Sequence, residues 1–87
     1  MTAVLYRRER ELLTFIWQFQ ERNGYSPTLR EMADAMNRRA PSTIHSLIRG
    51  LVEKGYLQKV DGNMRTLKIL HKEQLGALIG EKMKGVG

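Results

Sequence analysis

Small polar side chains and one arginine recur along residues 41–53, and their types suit hydrogen bonding to the edges of nucleic-acid bases. They are Ser42, Thr43, His45, Ser46 and Arg49. Hydroxyl groups contact base edges or phosphates, a threonine methyl can touch a thymine methyl, histidine donates or accepts, and arginine pairs with guanine or phosphate. This stretch is therefore the first candidate site of the chain.

Basic and polar residues near this stretch could hold the phosphates of a duplex. They are Arg38, Arg39, Lys59, Asn63, Arg65 and Lys68. The 87-residue chain has 15 Lys and Arg against 9 Asp and Glu, a formal net charge of +6, which favours a polyanionic partner. Charge alone is a weak argument, but grouping these side chains around one predicted helix strengthens the case for nucleic acid.

The same residue types could also serve catalysis or bind a metal, but the sequence lacks the necessary partners. The chain has no cysteine, and His45 and His71 lie on different predicted elements. None of the serines stands in a nucleophile motif or beside a candidate base. We expect no enzymatic activity, no metal and no cofactor.

Two helices are predicted ahead of the candidate site. The first covers residues 7–22, where the apolar residues recur at helical spacing, and it stops at Asn23-Gly24. That apolar stripe consists of Leu12, Phe15, Ile16 and Phe19. The second helix opens with the capping-box pattern Thr28 to Glu31 and stops at Asn37, a residue that tolerates the left-handed conformation.

The third predicted helix carries the candidate base-reading residues on its outer face. Its apolar residues recur at i, i+3, i+4 and i+7, so they must face the core and leave the polar set outward. They are Ile44, Leu47, Ile48 and Leu51. In a helix-turn-helix, the second helix of the pair enters the major groove, a role that falls here to residues 41–53.

A hairpin follows the third helix. Residues 56–60 and 65–70 alternate polar with apolar types around the turn signal Asp61-Gly62-Asn63. The predicted fold is therefore mainly α with a small antiparallel β-hairpin: a winged helix-turn-helix of three helices plus a two-stranded wing. We expect one domain over residues 1–70 and a tail over 71–87 that is a short or frayed helix.

The sequence resembles the N-terminal DNA-binding domain of LexA-type repressors over residues 7–70. The matching motifs are Arg10-Glu-Leu-Leu-Thr-Phe-Ile16, Gly24-Tyr-Ser-Pro-Thr28, Arg30-Glu-Met-Ala33, Ser42-Thr-Ile-His45 and Leu51-Val-Glu-Lys-Gly-Tyr-Leu57. The resemblance implies that the third helix reads bases through positions 42, 43, 45 and 46. It also implies that Thr28 and Arg30 approach phosphate, that Arg65 lies on the wing, and that a dimer reads a palindromic operator.

The sequence departs from this family at two places. Asn37 and Ala40 stand where the family usually has a glycine and a serine, so the third helix has a weaker N-cap and begins at Pro41 or at Ser42. Full-length relatives continue into a self-cleaving peptidase domain with a Ser-Lys dyad, whereas this chain stops after 87 residues. We therefore expect no damage-triggered self-cleavage.

The sequence predicts a cytoplasmic regulator of transcription, most simply a repressor, that binds double-stranded DNA sequence-specifically and has no membrane segment. The alternative is a winged-helix module that binds a protein partner through a surface around Leu13 and Trp17. Leu75, Leu78 and Ile79 either cover that surface or extend it. The two hypotheses differ in whether Trp17→Ala abolishes function while DNA binding survives.

Overall fold

Three α-helices followed by two paired β-strands make up the described part of the chain. The structure, a computed structural model, describes residues 4–60 and 67–70. The elements are α1 (Arg7–Asn23), α2 (Leu29–Ala35), α3 (Pro41–Glu53), β1 (Leu57–Lys59) and β2 (Leu67–Ile69). The predicted fold class, a winged helix-turn-helix, is confirmed by this element order and by the antiparallel pairing of the strands.

Helix α1 ends as its sequence predicts. Gly24 adopts a left-handed conformation with φ of 82°, and its N–H donates to the carbonyl of Gln20, which satisfies one of the last helical carbonyls. The side chains of Leu12, Leu13 and Ile16 are fully buried, so they form the inner edge of the helix.

The buried face of α1 is rotated relative to the face that the apolar pattern predicts. The sequence pattern predicts Leu13 on an outer surface and Phe19 in the apolar stripe, but Leu13 is fully buried and Phe19 is only partly buried. Residues 9, 12, 13, 16 and 20 follow one helical edge, and this edge is the most deeply buried, while Phe15 packs beside it and is only partly buried. The phenyl ring of Phe19 contacts Phe15 and Tyr25 instead.

The turn between α2 and α3 brings these two helices together. Thr28 caps α2 reciprocally with Glu31, as expected from the capping-box pattern. After the end of α2, Asn37 and Arg38 both have positive φ, 64° and 57°, so two consecutive left-handed residues reverse the chain. The helix itself ends at Ala35 with Met36 as its C-cap, so Asn37 has the expected left-handed conformation but lies one residue beyond the cap.

Helix α3 begins at Pro41, not at Ser42. Ala40 is the N-cap residue, and it provides no side-chain hydrogen bond, so the helix starts from the fixed φ of proline alone. Ile44, Ile48 and Leu51 are fully buried on one face of the helix. The expected apolar stripe is therefore inward, with Leu47 partly buried beside it.

The two strands form a short antiparallel ribbon packed against the helices. Leu57 faces Ile69, Gln58 faces Lys68 and Lys59 faces Leu67. The side chains of Leu57, Leu67 and Ile69 are buried, while Lys59 and Lys68 point to solvent. The ribbon thus contributes apolar residues to the core and basic residues to the surface. The predicted hairpin turn and the tail over residues 71–87 lie outside the described residues.

Candidate nucleic-acid interface

The outer face of α3 presents the predicted base-reading side chains together. Ser42, His45, Ser46 and Arg49 are exposed and occupy positions i, i+3, i+4 and i+7 of the helix, with Thr43 partly buried at the edge. None of their side chains makes a hydrogen bond or ion pair with another described residue. Their donors and acceptors are therefore available to a ligand.

A groove runs between α3 and the wing. His45, Arg49 and Glu53 line one wall, and Gln58 and Lys59 of β1 line the other. Two basic side chains, Arg49 and Lys59, thus approach the same open space from two different elements. The groove joins the face of α3 to the wing as one continuous surface.

The predicted phosphate-binding residues within the described ranges lie at or near the surface. Arg30, Arg38, Lys59 and Lys68 are exposed, and Thr28 and Arg39 are partly buried. The buried Nε of Arg39 has no hydrogen-bond partner among the described residues. Thr28 differs from the others, because its hydroxyl already accepts from the Glu31 N–H at the start of α2. Asn63 and Arg65 lie outside the described residues.

A buried ion pair holds α3 against the start of α1. Glu9 is 5% exposed, and its Oε1 accepts from the Nζ of Lys54 and from the N–H of Tyr6 at 2.9 Å. The ammonium group of Lys54 also lies 3.7 Å from the centroid of the Tyr6 ring. The sequence analysis did not single out Glu9 as a buried residue.

The carboxylate of Glu9 reaches the backbone of α3 because Gly50 has no side chain. A Cβ built at Gly50 would collide with Oε2 of Glu9. Ala at this position would therefore displace the carboxylate from its place beside Lys54. The sequence offered one signal for this contact: Glu9 lies three residues before Leu12 and four before Leu13, on the inner edge of α1.

The wing is held by polar contacts that sequence reasoning also missed. Gln20 Nε2 donates to the carbonyl of Leu67 at 2.8 Å and to Ser26 Oγ at 2.7 Å. Ser26 is 1% exposed, and its hydroxyl donates to the same carbonyl at 3.2 Å. The two contacts with Leu67 join residues more than 40 positions apart, so they leave no local signal apart from the position of Gln20 on the inner edge of α1.

The surface proposed for a protein partner is not formed as expected. Leu13 is inside the core, and Trp17 is partly buried against it, with its indole N–H donating to Glu21 at 3.1 Å. Leu75, Leu78 and Ile79 lie outside the described residues. A continuous outer patch made by Leu13 and Trp17 is therefore absent from the described part of the chain.

Neither a metal-binding cluster nor a membrane-spanning helix is present in the described ranges. No group of three or more His, Asp or Glu side chains there could hold a metal ion. Among the same residues, no helix combines the length and the apolar character needed to cross a bilayer.

An exposed, unpaired polar helix face, a turn from a preceding short helix and a basic ribbon beside it define a winged helix-turn-helix DNA-binding domain. Residues 2–66 match the LexA DNA binding domain family. The chain belongs to this family.

The curated relatives of this chain include a transcription regulator and repressors. The chain is 36% identical over 81 residues to the transcription regulator LexA of Synechocystis sp., covering 93% of this chain and 40% of that protein. It is 37% identical over 65 residues to the LexA repressor of Ruminiclostridium cellulolyticum, covering 75% of this chain and 30% of that protein. With the LexA repressor of Gluconacetobacter diazotrophicus, identity is 40% over 67 residues, covering 77% and 26%. The chain therefore spans well under half the length of these relatives.

Proposed function

We propose that the chain represses transcription by binding a specific double-stranded DNA operator, with α3 in the major groove and the wing on the backbone or in the minor groove. The observation that carries this proposal is the outer face of α3, whose polar side chains have no partner among the described residues. A helix whose exposed polar groups are unpaired within the protein can offer them to base edges without first breaking internal bonds.

Ser42, Thr43, His45, Ser46 and Arg49 read bases in this proposal. Arginine gives the strongest single discrimination, because its two parallel donors match the O6 and N7 acceptors of guanine. The four smaller side chains contact phosphate, a methyl group or a single base edge, depending on the approach of the helix. Glu53, farther along the same groove, discourages a phosphate from lying at that end.

The phosphate contacts come from the turn before α3, from the start of α2 and from the wing. In the proposal these residues are Thr28, Arg30, Arg38, Arg39, Lys59, Asn63, Arg65 and Lys68. Lys59 and Lys68 lie opposite Leu67 and Gln58, so both strands of the ribbon contribute a cation. Contacts of this kind fix orientation and supply salt-dependent affinity without reading sequence.

Two copies of the chain on a palindromic operator complete the proposal. One recognition helix covers only a half-site, and a second copy related by two-fold symmetry raises affinity and doubles the sequence that is read. The names of the relatives, a transcription regulator and two repressors, support the repressor role.

Selection of bound duplexes from a random pool tests the proposal first, followed by titration of the selected duplex against scrambled DNA at two salt concentrations. We expect a palindromic sequence, two chains per duplex, and binding about a thousandfold or more tighter than to scrambled DNA. No enriched sequence, together with binding that vanishes in moderate salt, would overturn sequence-specific recognition.

Two variants then separate the assigned roles. Lys68→Ala is expected to weaken binding to every duplex and to reduce the slope of log affinity against log salt by about 1. His45→Ala is expected mainly to change which bases are preferred. If both variants affected all duplexes equally, the division into base-reading and phosphate-binding residues would be wrong.

A further inference from the structure

The carbonyl of Leu67 lies where the second strand of the wing begins, because Leu67 is the first residue of β2. The N–H of Leu70 donates to the carbonyl of Tyr56 at 2.8 Å, so residues 56 and 70 form a hydrogen-bonded pair. Such pairs alternate along an antiparallel ribbon with pairs whose backbone groups point outward. The pair Lys59 and Leu67 is one of the latter, so the Leu67 carbonyl points away from β1.

Two side chains from outside the ribbon satisfy this carbonyl. Gln20, near the end of α1, and Ser26, in the loop before α2, both donate to it, and Gln20 also donates to the Ser26 hydroxyl. The three groups form a closed triangle of hydrogen bonds that is buried at Ser26 and partly buried at Gln20. We call Gln20, Ser26 and the Leu67 carbonyl the wing anchor.

We propose that Gln20 and Ser26 are positioning residues for DNA binding: by holding the Leu67 carbonyl, they set where the wing presents Lys59 and Lys68 to the phosphates. The inference rests on the proposed function. Lys59 lies directly across from Leu67, and Lys68 follows it in β2, so any shift of the Leu67 backbone moves both cations.

The anchor matters because the ribbon is too short to fix itself. Each strand has three residues, and an isolated two-stranded hairpin is at best marginally stable in water. Burial of Leu67 and Ile69 holds the inner face of β2, but apolar packing is non-directional and tolerates small shifts along the strand. The directed hydrogen bonds to the Leu67 carbonyl, at the outward edge of the ribbon, fix the position of β2 along the strand direction, which packing alone does not fix.

The test compares Gln20→Ala with Gln18→Ala, a matched control. Gln18 is partly buried on the same helix and makes no hydrogen bond with another described residue. We expect Gln20→Ala to weaken binding to the selected operator about fivefold, because the Leu67 carbonyl loses one of its two donors, and a hydrogen bond of about 1 kcal/mol corresponds to about fivefold. Gln18→Ala should bind as the unaltered chain does.

A loss of stability alone would not reproduce two further readouts. In Gln20→Ala the salt dependence of binding should flatten, and adding Lys68→Ala should cost less than it does in the unaltered chain. In the free protein, amide exchange at Leu70, whose N–H closes the ribbon, should accelerate in Gln20→Ala relative to the control. A second pair of variants, Gln20→Glu and Gln18→Glu, repeats the comparison. Both variants keep the length of the side chain and add one negative charge, so they differ only in whether the donor to the Leu67 carbonyl is lost.

Different results overturn different parts of the argument. Equal affinities and equal amide exchange in the two alanine variants would overturn the wing anchor. Weaker binding of Gln20→Ala with an unchanged salt slope and a full additional cost from Lys68→Ala would show a general structural role and overturn the positioning role. Faster exchange in Gln20→Ala, in a protein that selects no duplex at all, would overturn the proposed function while leaving the anchor in place.

Discussion

The outer faces of α1 and α3 are both polar, but they differ in where their hydrogen-bonding groups are directed. On α1, Glu11 forms ion pairs with Arg7 and Arg8, and the Trp17 indole N–H donates a hydrogen bond to Glu21. On α3, the exposed side chains from Ser42 to Arg49 bond to no other described residue. The first face is therefore partly paired within its own helix, whereas the polar side chains of the second face are not.

This difference distinguishes a solvated face from a recognition face better than composition does. Both helices carry arginine and small polar residues, so net charge would assign DNA to either of them. A side chain that must first leave an internal partner gives up part of what it gains from a ligand. We therefore expect substitutions on α1 to change stability and substitutions on the outer face of α3 to change DNA binding.

The largest effect is expected at Leu13, which is fully buried on the inner edge of α1. Leu13→Ala should lower the free energy of unfolding by about 3 kcal/mol, because it removes a buried side chain and leaves a cavity. Urea denaturation followed by circular dichroism measures the change, with Gln18→Ala, at a partly buried position without a hydrogen bond, as the control. A loss of stability no greater than that of the control would show that Leu13 is not buried, and it would contradict the division of α1 into a buried and an exposed face.

The buried pair on the inner edge of α1 should come next. Lys54→Met should lower the free energy of unfolding by about 2–3 kcal/mol, because it leaves the Glu9 carboxylate buried without its cation. The value lies at the low end for buried pairs because the Lys54 side chain keeps some contact with water. Glu11→Gln, which breaks the exposed pairs with Arg7 and Arg8, should cost less than about 1 kcal/mol in the same denaturation experiment. Equal losses would contradict the contrast between inner and outer charges.

A pair of exposed arginines tests the comparison through DNA binding. Arg49→Ala should weaken binding to the selected operator by about 1–3 kcal/mol, roughly 5- to 150-fold, as loss of a base contact does. Arg22→Ala, on α1, removes the same charge and should leave the affinity close to its original value. Fluorescence anisotropy at one fixed salt concentration measures both. If Arg22→Ala weakened binding as much, charge and not position would govern affinity.

The smallest effects are expected at the two helix starts, where α2 is capped and α3 is not. Thr28→Ala should destabilise the domain by about 1 kcal/mol, and Ala40→Ser should stabilise it by about 0.5–1 kcal/mol by giving α3 a side-chain cap. Thermal denaturation in one buffer compares the two. Stability unchanged by Ala40→Ser would show that Pro41 alone is sufficient to start α3.

Much of the fold could be predicted from the sequence because its signals are local. Gly24, the capping box at Thr28 and Pro41 each act within one turn of a helix, and they place the helix ends where the structure has them. The apolar stripe of α3 was identified correctly for the same reason. Each of these signals depends on residues close to one another in sequence.

The errors arose where two helical edges of α1 were both plausible. The edge through Phe15 and Phe19 is more apolar, but the structure buries the edge that has Glu9 at one end and Gln20 at the other. Only the partners explain why polar residues belong on a buried edge: Lys54 lies 45 residues away from Glu9, and Leu67 lies 47 residues away from Gln20. Hydropathy cannot reveal such partners, because each side chain is satisfied by an element distant in sequence.

Gly50 limits how this domain can be retargeted to new operators. A combinatorial library that randomises the outer face of α3 can vary positions 42, 43, 45, 46 and 49 freely with respect to internal bonds, since those side chains have none to lose within the described chain. Position 50 is different, because any side chain there meets the Glu9 carboxylate. Libraries that include position 50 should favour glycine among the most stable clones, because any other residue there requires the Glu9 carboxylate to move away.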